Sequence, residues 1–317
     1  MNQTHLIYYM YVTDPGNWIG TVKGQIEDLI YSSLLKSCHL YLCLSGDPNA
    51  MNNAKILIDG LLYGVTTMSV DYFFEEKNQY EYPGIHRLYT LAQDNPTDIF
   101  FYMHSKGVSY SKFPIERYNI NIYLTRLTLW NHSKALSVFD NNKNVNKIGL
   151  FPSAAGWMWF NFFWVRGSYL ASCRKPGITS NRHYYESWLG KSGKTGISDC
   201  YSLHNDKISA DFNAFECGEA LHRLYRRYRF MVINQKICQA YYGIKDHFID
   251  ITKKINTILD KNNIIIVNNL LVEEDPCPGA AKLLILNLEH EQTFVFREYE
   301  IIFFQFLTRQ SALPRFN

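Results

Sequence analysis

The sequence predicts an α/β domain with a mostly parallel sheet flanked by helices, followed by a small all-β domain. In the first third of the chain, β-prone apolar runs alternate with runs that have apolar residues at helical spacing. This order is typical of a parallel sheet covered by helices. Near residue 232 the composition changes, and short β-prone runs separated by turn signals continue to about residue 308. A chain of 317 residues is long enough for two domains, and the expected division is 1–231 and 232–317.

The elements of the first domain follow from the apolar pattern in chain order. Strands are predicted where β-prone runs end in turn residues: 5–13, 39–47, 54–60, 64–73 and 98–104. Helices are predicted where apolar residues recur every three or four positions: 18–37, 84–94 and 115–141. A strand is expected at 147–153 and a short helix at 181–193. In the second domain, runs such as QAYYGI, FIDITKKI and KLLILNL are interpreted as strands.

The bulk composition argues against several classes of protein. A net charge of only +3 is low for a dedicated nucleic-acid binder, which carries a dense basic face. Seven scattered cysteines without a CxxC pair argue against a zinc site and favour reduced thiols. No apolar stretch reaches the length of a membrane span, and no signal peptide opens the chain. We therefore expect a cytoplasmic protein that binds no nucleic acid.

The strand predicted at 98–104 ends in His104, Ser105, Lys106 and Gly107. Ligands of parallel sheets bind beyond the carboxyl ends of the strands, and these residue types suit a diphosphate. Lysine supplies a mobile positive charge, glycine lets the backbone approach closely, and histidine donates to a phosphate oxygen or ligates a cation. The alternative interpretation is an ordinary turn at a strand exit.

Two further segments suit sugar chemistry. Asn161 is a polar side chain in the aromatic run GWMWFNFFW, and an amide among aromatic rings is a common way to hold a sugar. Its alternative is a buried turn. Arg182 and Glu186 are four residues apart, hence on one face of a helix. Glu186, held by Arg182, would act as general base on an acceptor hydroxyl, and the alternative is a surface ion pair.

Candidates for a metal site are fewer. His204, in the segment YSLHND, could contact phosphates or a metal ion, although a loop histidine is the simpler interpretation. Asp59 and Asp71 could each lie at a metal ion, but the chain has no Asp-x-Asp pair. It also has no Walker loop, GxSxG elbow, HExxH or GxGxxG motif.

Taken together and in order, these segments resemble a glycosyltransferase-like family found in bacterial surface-polysaccharide loci and in large DNA viruses of algae and amoebae. The segments that carry the resemblance are LYLCLSG, YEYPGIHRL, IFFYMHSKGVS, GWMWFNFFWVRGSYL, RHYYESWLG and LHN. They cover about residues 5–210. A viral origin would place the protein in the host cytoplasm or the virion.

The resemblance implies a GT-A-type fold and a sugar transfer from a nucleoside diphosphate sugar to a hydroxyl of a glycan or protein. His104, Lys106 and Gly107 match the family's basic step and would bind the diphosphate, with His204 at the late histidine. Related enzymes use an Asp-x-Asp with a divalent cation. Manganese or magnesium is therefore a candidate cofactor, with Asp71, Asp59 and His204 as its candidate ligands, and Lys106 is expected to replace the cation in part.

The remaining residues that match the family's motifs are those expected to contact the sugar or to act as the general base. They are Asn161 and Trp164 in the aromatic segment, with Phe163 where a tryptophan is commoner, and Arg182, Glu186 and Trp188 in the helix. Asn161, Trp164 and Trp188 would contact substrate, and Glu186 and Arg182 would be catalytic. The sugar moved would be a hexose or a pentose.

The C-terminal segment resembles a β-domain of a DnaJ-like mitochondrial protein, on the pieces IDIT, DPCPG and KLLIL. The resemblance implies an interaction or stabilising module without chemistry. Two other functions stay open for the whole chain. One is a non-catalytic carbohydrate-binding protein on the same scaffold. The other is a nucleic-acid-associated protein built around Arg226, Arg227 and Arg229.

Overall fold

A computed structural model describes residues 3–14, 18–106, 108, 115–181, 183–193, 195–233, 237–244, 247–260, 264–289 and 293–306. The chain divides into two compact units, Met1–Leu221 and His222–Asn317. This division falls before the boundary expected between residues 231 and 232.

Among the described residues, the first unit holds an eight-stranded sheet with the order β3-β2-β1-β4-β6-β5-β7-β8. The strands are β1 (Thr4–Val12), β2 (Cys38–Gly46), β3 (Ser69–Glu75), β4 (Ile99–His104), β5 (Lys147–Gly149), β6 (Phe163–Arg166), β7 (Cys200–Ser202) and β8 (Lys207–Ile208). Strands β1 to β4 pair in parallel, so their carboxyl ends share one edge. Strand β6 is antiparallel to β4 and β5, and β8 is antiparallel to β7.

Helices cover both faces of this sheet. The helices of the first unit are α1 (Trp18–Tyr31), α2 (Pro48–Leu62), α3 (Tyr82–Asp94), α4 (Ile115–Leu129), α5 (His132–Asn141), α6 (Gly167–Ser172) and α7 (His183–Ser192), and α8 (Ala214–Arg227) includes residues of both units. Helices α3, α6 and α7 share one apolar core with β1, β2, β4 and β6. On the other face, the Tyr8 hydroxyl of β1 donates to Gln25 Oε1 of α1 at 2.6 Å. The predicted α/β class with a mostly parallel sheet is therefore confirmed.

The sequence predicts strands β1 and β4 correctly because both are buried along nearly their whole length. A strand covered on both faces is apolar throughout. The strand predicted at 54–60 is wrong, since this segment belongs to α2. Asp47 caps that helix by accepting from the Ala50 N–H at 3.0 Å, and Pro48 occupies its first turn. The short apolar run at 56–58 fits either period, and the upstream cap decides for the helix.

Two other predictions in the first unit need correction. The strand expected at 64–73 is β3, which lies further along the chain. The single helix expected at 115–141 is two helices, α4 and α5, separated at residues 130–131. Helical spacing of apolar residues continues through such a break, so the pattern does not reveal it.

The second unit contains two sheets in its described residues. The strands are β9 (Tyr228–Ile233), β10 (Ile237–Ile244), β11 (His247–Asp250), β12 (Ile264–Ile266), β13 (Leu283–Leu288), β14 (Thr293–Arg297) and β15 (Ile301–Phe306). One sheet has the antiparallel order β11-β10-β13-β14, and the other has the order β12-β15-β9. A helix, α9 (Thr252–Leu259), corrects the all-β expectation for FIDITKKI. Ile251 and Ile255 face the core at a helical spacing.

Within the described ranges, none of the helices combines the length and the apolar character that crossing a bilayer requires.

Candidate functional site

The candidate site lies at the carboxyl end of β4, beside β1. His104, the last residue of β4, is aligned with Tyr9 of β1. The Ser105 N–H donates to the Tyr9 carbonyl at 2.9 Å, and the Ser105 hydroxyl accepts from the Tyr11 N–H at 3.2 Å. These contacts with β1 fix the backbone that leads into Lys106, at the edge where ligands of parallel sheets bind.

Lys106 and Glu186 meet at this edge. Lys106 Nζ lies 3.6 Å from Glu186 Oε1, and each side chain is 25% exposed. The other carboxylate oxygen of Glu186 is 3.7 Å from His183 Nδ1. The Lys106 ammonium lies 5.2 Å from the centroid of the Phe160 ring, which is the distance of a cation–π contact. A cation, a carboxylate and an aromatic ring therefore come together at a partly exposed position.

Glu186 reaches this position through the packing of α7. Tyr185 and Trp188 of this helix are buried in the core of the first unit, while Glu186 keeps a partly exposed carboxylate. A Cβ atom on Gly190 would lie 2.4 Å from the Ala155 carbonyl oxygen. Glycine therefore allows α7 to approach the segment that leads into the aromatic run.

His104 is at the site but faces inward. Its side chain is 9% exposed, and its Nε2 donates to the Phe160 carbonyl at 3.0 Å. Its Nδ1 lies 3.7 Å from Glu81 Oε1. Burial lowers the pKa of His104, and the Glu81 carboxylate opposes that shift. Both ring nitrogens are directed at protein groups, so in this structure His104 shapes the loop before Lys106.

Asn161 is also buried, in a backbone turn of unusual conformation. Phe160 and Asn161 both have positive φ, 72° and 56°, in the left-handed region that side-chain-bearing residues rarely adopt. Asn161 Nδ2 donates to Glu81 Oε2 at 2.9 Å and to the Tyr185 carbonyl at 3.3 Å. Among the described residues, its Oδ1 has no hydrogen-bond partner. The amide therefore ties the turn to α3 and α7.

Trp164 and Trp188 lie in the core of the first unit. Trp164 is fully buried against Phe101, and its indole N–H donates to the Thr128 carbonyl at 3.0 Å. Trp188 is buried too, with its N–H donating to the Arg174 carbonyl at 3.0 Å. Neither ring presents a face to a ligand in this structure. The aromatic ring beside Lys106 is that of Phe160, which the sequence reasoning passed over.

The predicted metal ligands do not form a site together. The Asp59 carboxylate is bound by Lys55 and accepts from the Tyr72 hydroxyl at 2.6 Å, and Asp71 is exposed on β3. No three His, Cys, Asp or Glu side chains in the described part of the chain are grouped so that they could hold a metal ion. Manganese or magnesium therefore stays a prediction, because one or two carboxylates with substrate phosphates can hold such an ion, and we derive no step through one.

Three other predicted residues remain. The His204 ring packs against Phe151 and Phe212, with centroid distances of 5.3 and 5.8 Å. Gly107 and Arg182 lie outside the described residues, so their roles stay predictions.

Glu81 is a site residue that sequence reasoning missed. It directly precedes α3, and its Oε2 accepts from the Tyr102 hydroxyl at 3.1 Å as well as from Asn161. Gly84, in the first turn of α3, allows this close packing, because a Cβ atom there would lie 2.7 Å from Tyr9 Cβ. The available signal was a glutamate just before a Tyr-Pro-Gly helix start, within a segment that already carried the family resemblance.

Two buried histidines predict how stability depends on pH. Burial lowers the pKa of His5 and of His104 below the ordinary histidine value of about 6.5. As the pH falls through about 6.5, the unfolded chain takes up protons that the folded chain binds less well, so the free energy of unfolding decreases. We expect a lower melting temperature at pH 5.5 than at pH 7.5, and a smaller difference in His5→Gln.

A variant of exposed His183, His183→Gln, is the control for this pH experiment. It should keep the wild-type difference between the two melting temperatures. An unchanged difference in His5→Gln would contradict the assignment of the pH effect to His5.

Comparisons with known proteins add little to this geometry. No protein-family model and no curated protein sequence matches the chain. Among solved structures, the chain is similar to the apo form of mouse xyloside xylosyltransferase 1, at 10% sequence identity and a TM-score of 0.30. The match covers 72% of this chain and 87% of that chain. A TM-score this low carries no argument about function.

Proposed function

We propose that the first unit is a glycosyltransferase, which moves a hexose or a pentose from a nucleoside diphosphate sugar to a hydroxyl of a glycan or protein. The observation that supports the proposal is the meeting of Lys106 and Glu186, 3.6 Å apart at the carboxyl end of β4. The sequence motifs had assigned a phosphate-binding role to one and a general-base role to the other. Both groups would act at the same anomeric carbon, and the bound donor would separate them, because in an inverting displacement the hydroxyl attacks from the face opposite the leaving diphosphate.

In the proposed reaction, Lys106 pairs with the diphosphate of the donor. The acceptor oxygen attacks the anomeric carbon as the bond from that carbon to the diphosphate oxygen breaks. Glu186 takes the hydroxyl proton, and the nucleoside diphosphate leaves with the bonding electrons, its added negative charge stabilised by the Lys106 ammonium. Because the acceptor oxygen attacks from the face opposite the leaving diphosphate, this single displacement inverts the anomeric carbon.

The Phe160 ring and the Asn161 turn form the aromatic side of the proposed site. Phe160 is partly exposed beside Lys106, and an aromatic face suits the C–H surface of a sugar. Asn161, which is buried, contributes by fixing the turn that carries this ring. Phe160 thus takes the sugar-contacting role that the motif had assigned to Trp164 and Trp188.

A screen of nucleotide sugars tests the proposal. UDP- and GDP-sugars are incubated with the protein, with and without manganese, and released nucleotide is measured alongside the shift in melting temperature. We expect at least one donor to stabilise the protein and to be slowly hydrolysed. Binding of free glycans without any nucleotide binding would instead favour the non-catalytic carbohydrate-binding function.

A further inference from the structure

We propose that Glu81 is a positioning residue of this site, which holds the Phe160–Asn161 turn and the His104 ring in the arrangement that places Lys106 and Phe160 side by side. The inference rests on the proposed function, since it concerns the same site. It adds a residue to which no motif assigned a role, directly before a helix that contributes none of the predicted catalytic groups.

Both oxygens of the Glu81 carboxylate are directed at site residues. Oε2 accepts from Asn161 Nδ2 at 2.9 Å and from the Tyr102 hydroxyl at 3.1 Å. Oε1 lies 3.7 Å from His104 Nδ1. The carboxylate therefore connects β4 to the turn at 160–161 by hydrogen bonds from Tyr102 and Asn161, and it lies beside the His104 ring at the end of that strand.

These contacts form a closed contact network. Glu81 binds the Asn161 amide, the adjacent Phe160 carbonyl accepts from His104 Nε2, and His104 Nδ1 faces Glu81 again. Left-handed backbone at two consecutive non-glycine residues is unfavourable by itself and persists only where surrounding contacts hold it. The contact network supplies such contacts to Phe160 and Asn161. Because polar networks of this kind strengthen one another when buried, loss of one member weakens the rest.

The position of the Lys106 side chain depends on this contact network in two ways. It follows His104 by two residues, so the orientation of the strand end determines where its side chain starts. Its ammonium lies over the Phe160 ring, at 5.2 Å from the centroid. A shift in the contact network would therefore move both the Lys106 ammonium and the Phe160 ring beside it.

The helix that follows Glu81 does not account for this glutamate. Glu81 is at the N-cap position of α3, but its side chain makes no capping hydrogen bond there. Serine, threonine, aspartate and asparagine are the residues that cap helices well. The Glu81 carboxylate instead accepts hydrogen bonds from Tyr102 and Asn161 and lies beside His104, which is what a role at the site requires.

The test compares Glu81→Ala with the conservative Glu81→Gln, and uses Glu76→Ala as a control on an exposed glutamate in the same loop. Alanine removes all contacts of the carboxylate, whereas glutamine keeps an oxygen for Asn161 and Tyr102. We expect kcat of nucleotide-sugar turnover to fall about 10- to 100-fold in Glu81→Ala, because small displacements of reacting groups cost that much. Glu81→Gln should stay within about threefold of wild type, as should the control.

A second measurement does not depend on activity. The His104 Nε2 proton, held by the Phe160 carbonyl, should give a downfield NMR signal in the wild type and Glu81→Gln that is lost in Glu81→Ala. Wild-type turnover or a retained signal in Glu81→Ala overturns the inference, and so does equal loss of turnover in both variants. If the wild type turns over no nucleotide sugar, the proposed function fails. The NMR signal still decides whether Glu81 holds the contact network.

Discussion

Replacing Glu186 by glutamine is expected to lower the turnover of nucleotide sugar at least about 100-fold, which is what a general base commonly contributes. Glutamine has the same shape but cannot accept the proton of the acceptor hydroxyl. The side chain is partly exposed and its contacts are with Lys106 and His183, so the variant should fold and melt like the wild type. The measurement is kcat under saturating donor and acceptor.

The binding of the donor separates this role from a general disturbance of the site. Glu186 competes with phosphate for Lys106, since its carboxylate is 3.6 Å from the ammonium. The neutral amide of Glu186→Gln should leave the affinity for nucleoside diphosphate unchanged or increase it. Glu219→Gln, on an exposed glutamate of α8, is the control and should behave as wild type. Unchanged turnover in Glu186→Gln would remove Glu186 from the reaction.

Replacing Lys106 by methionine is expected to weaken the binding of UDP or GDP about 10- to 150-fold. A hydrogen bond to a charged group contributes about 1.5–3 kcal/mol, and each 1.4 kcal/mol corresponds to a factor of about ten in Kd. Methionine keeps an unbranched apolar side chain that can remain over the Phe160 ring, so packing is conserved while the charge is lost. Isothermal titration calorimetry with nucleoside diphosphate measures the change.

The matched control for this experiment is Lys36→Met. Lys36 is exposed and precedes β2 at the amino end of that strand, whereas the site lies at the carboxyl ends. Its removal lowers the net charge by the same amount, so a general electrostatic effect would weaken binding in both variants. Equal Kd values in Lys106→Met and wild type would place the phosphates elsewhere.

The fold could be predicted where the burial of an element is visible in its own residues. The strands β1 and β4 are continuous apolar runs, and α1 buries Val22, Ile26 and Leu29 along one stripe. Short apolar runs carry less information, because a few residues fit both periods. This is why residues 54–60 were assigned to a strand and the segment around Ile255 to a β-run, although both are helical.

The sequence by itself determined the α/β class, the exit of β4 at a histidine and a lysine, and the residue types that suit a phosphate and a base. Only the tertiary structure decided which of them meet. It brings Lys106 to Glu186 and adds Glu81 and Phe160, while it assigns Trp164 and Trp188 to the core. It also buries Lys147 completely against Asp199, at 2.8 Å. The physical reason is that burial and partners are properties of contacts between distant segments, and a side chain's type does not specify which neighbour it will have.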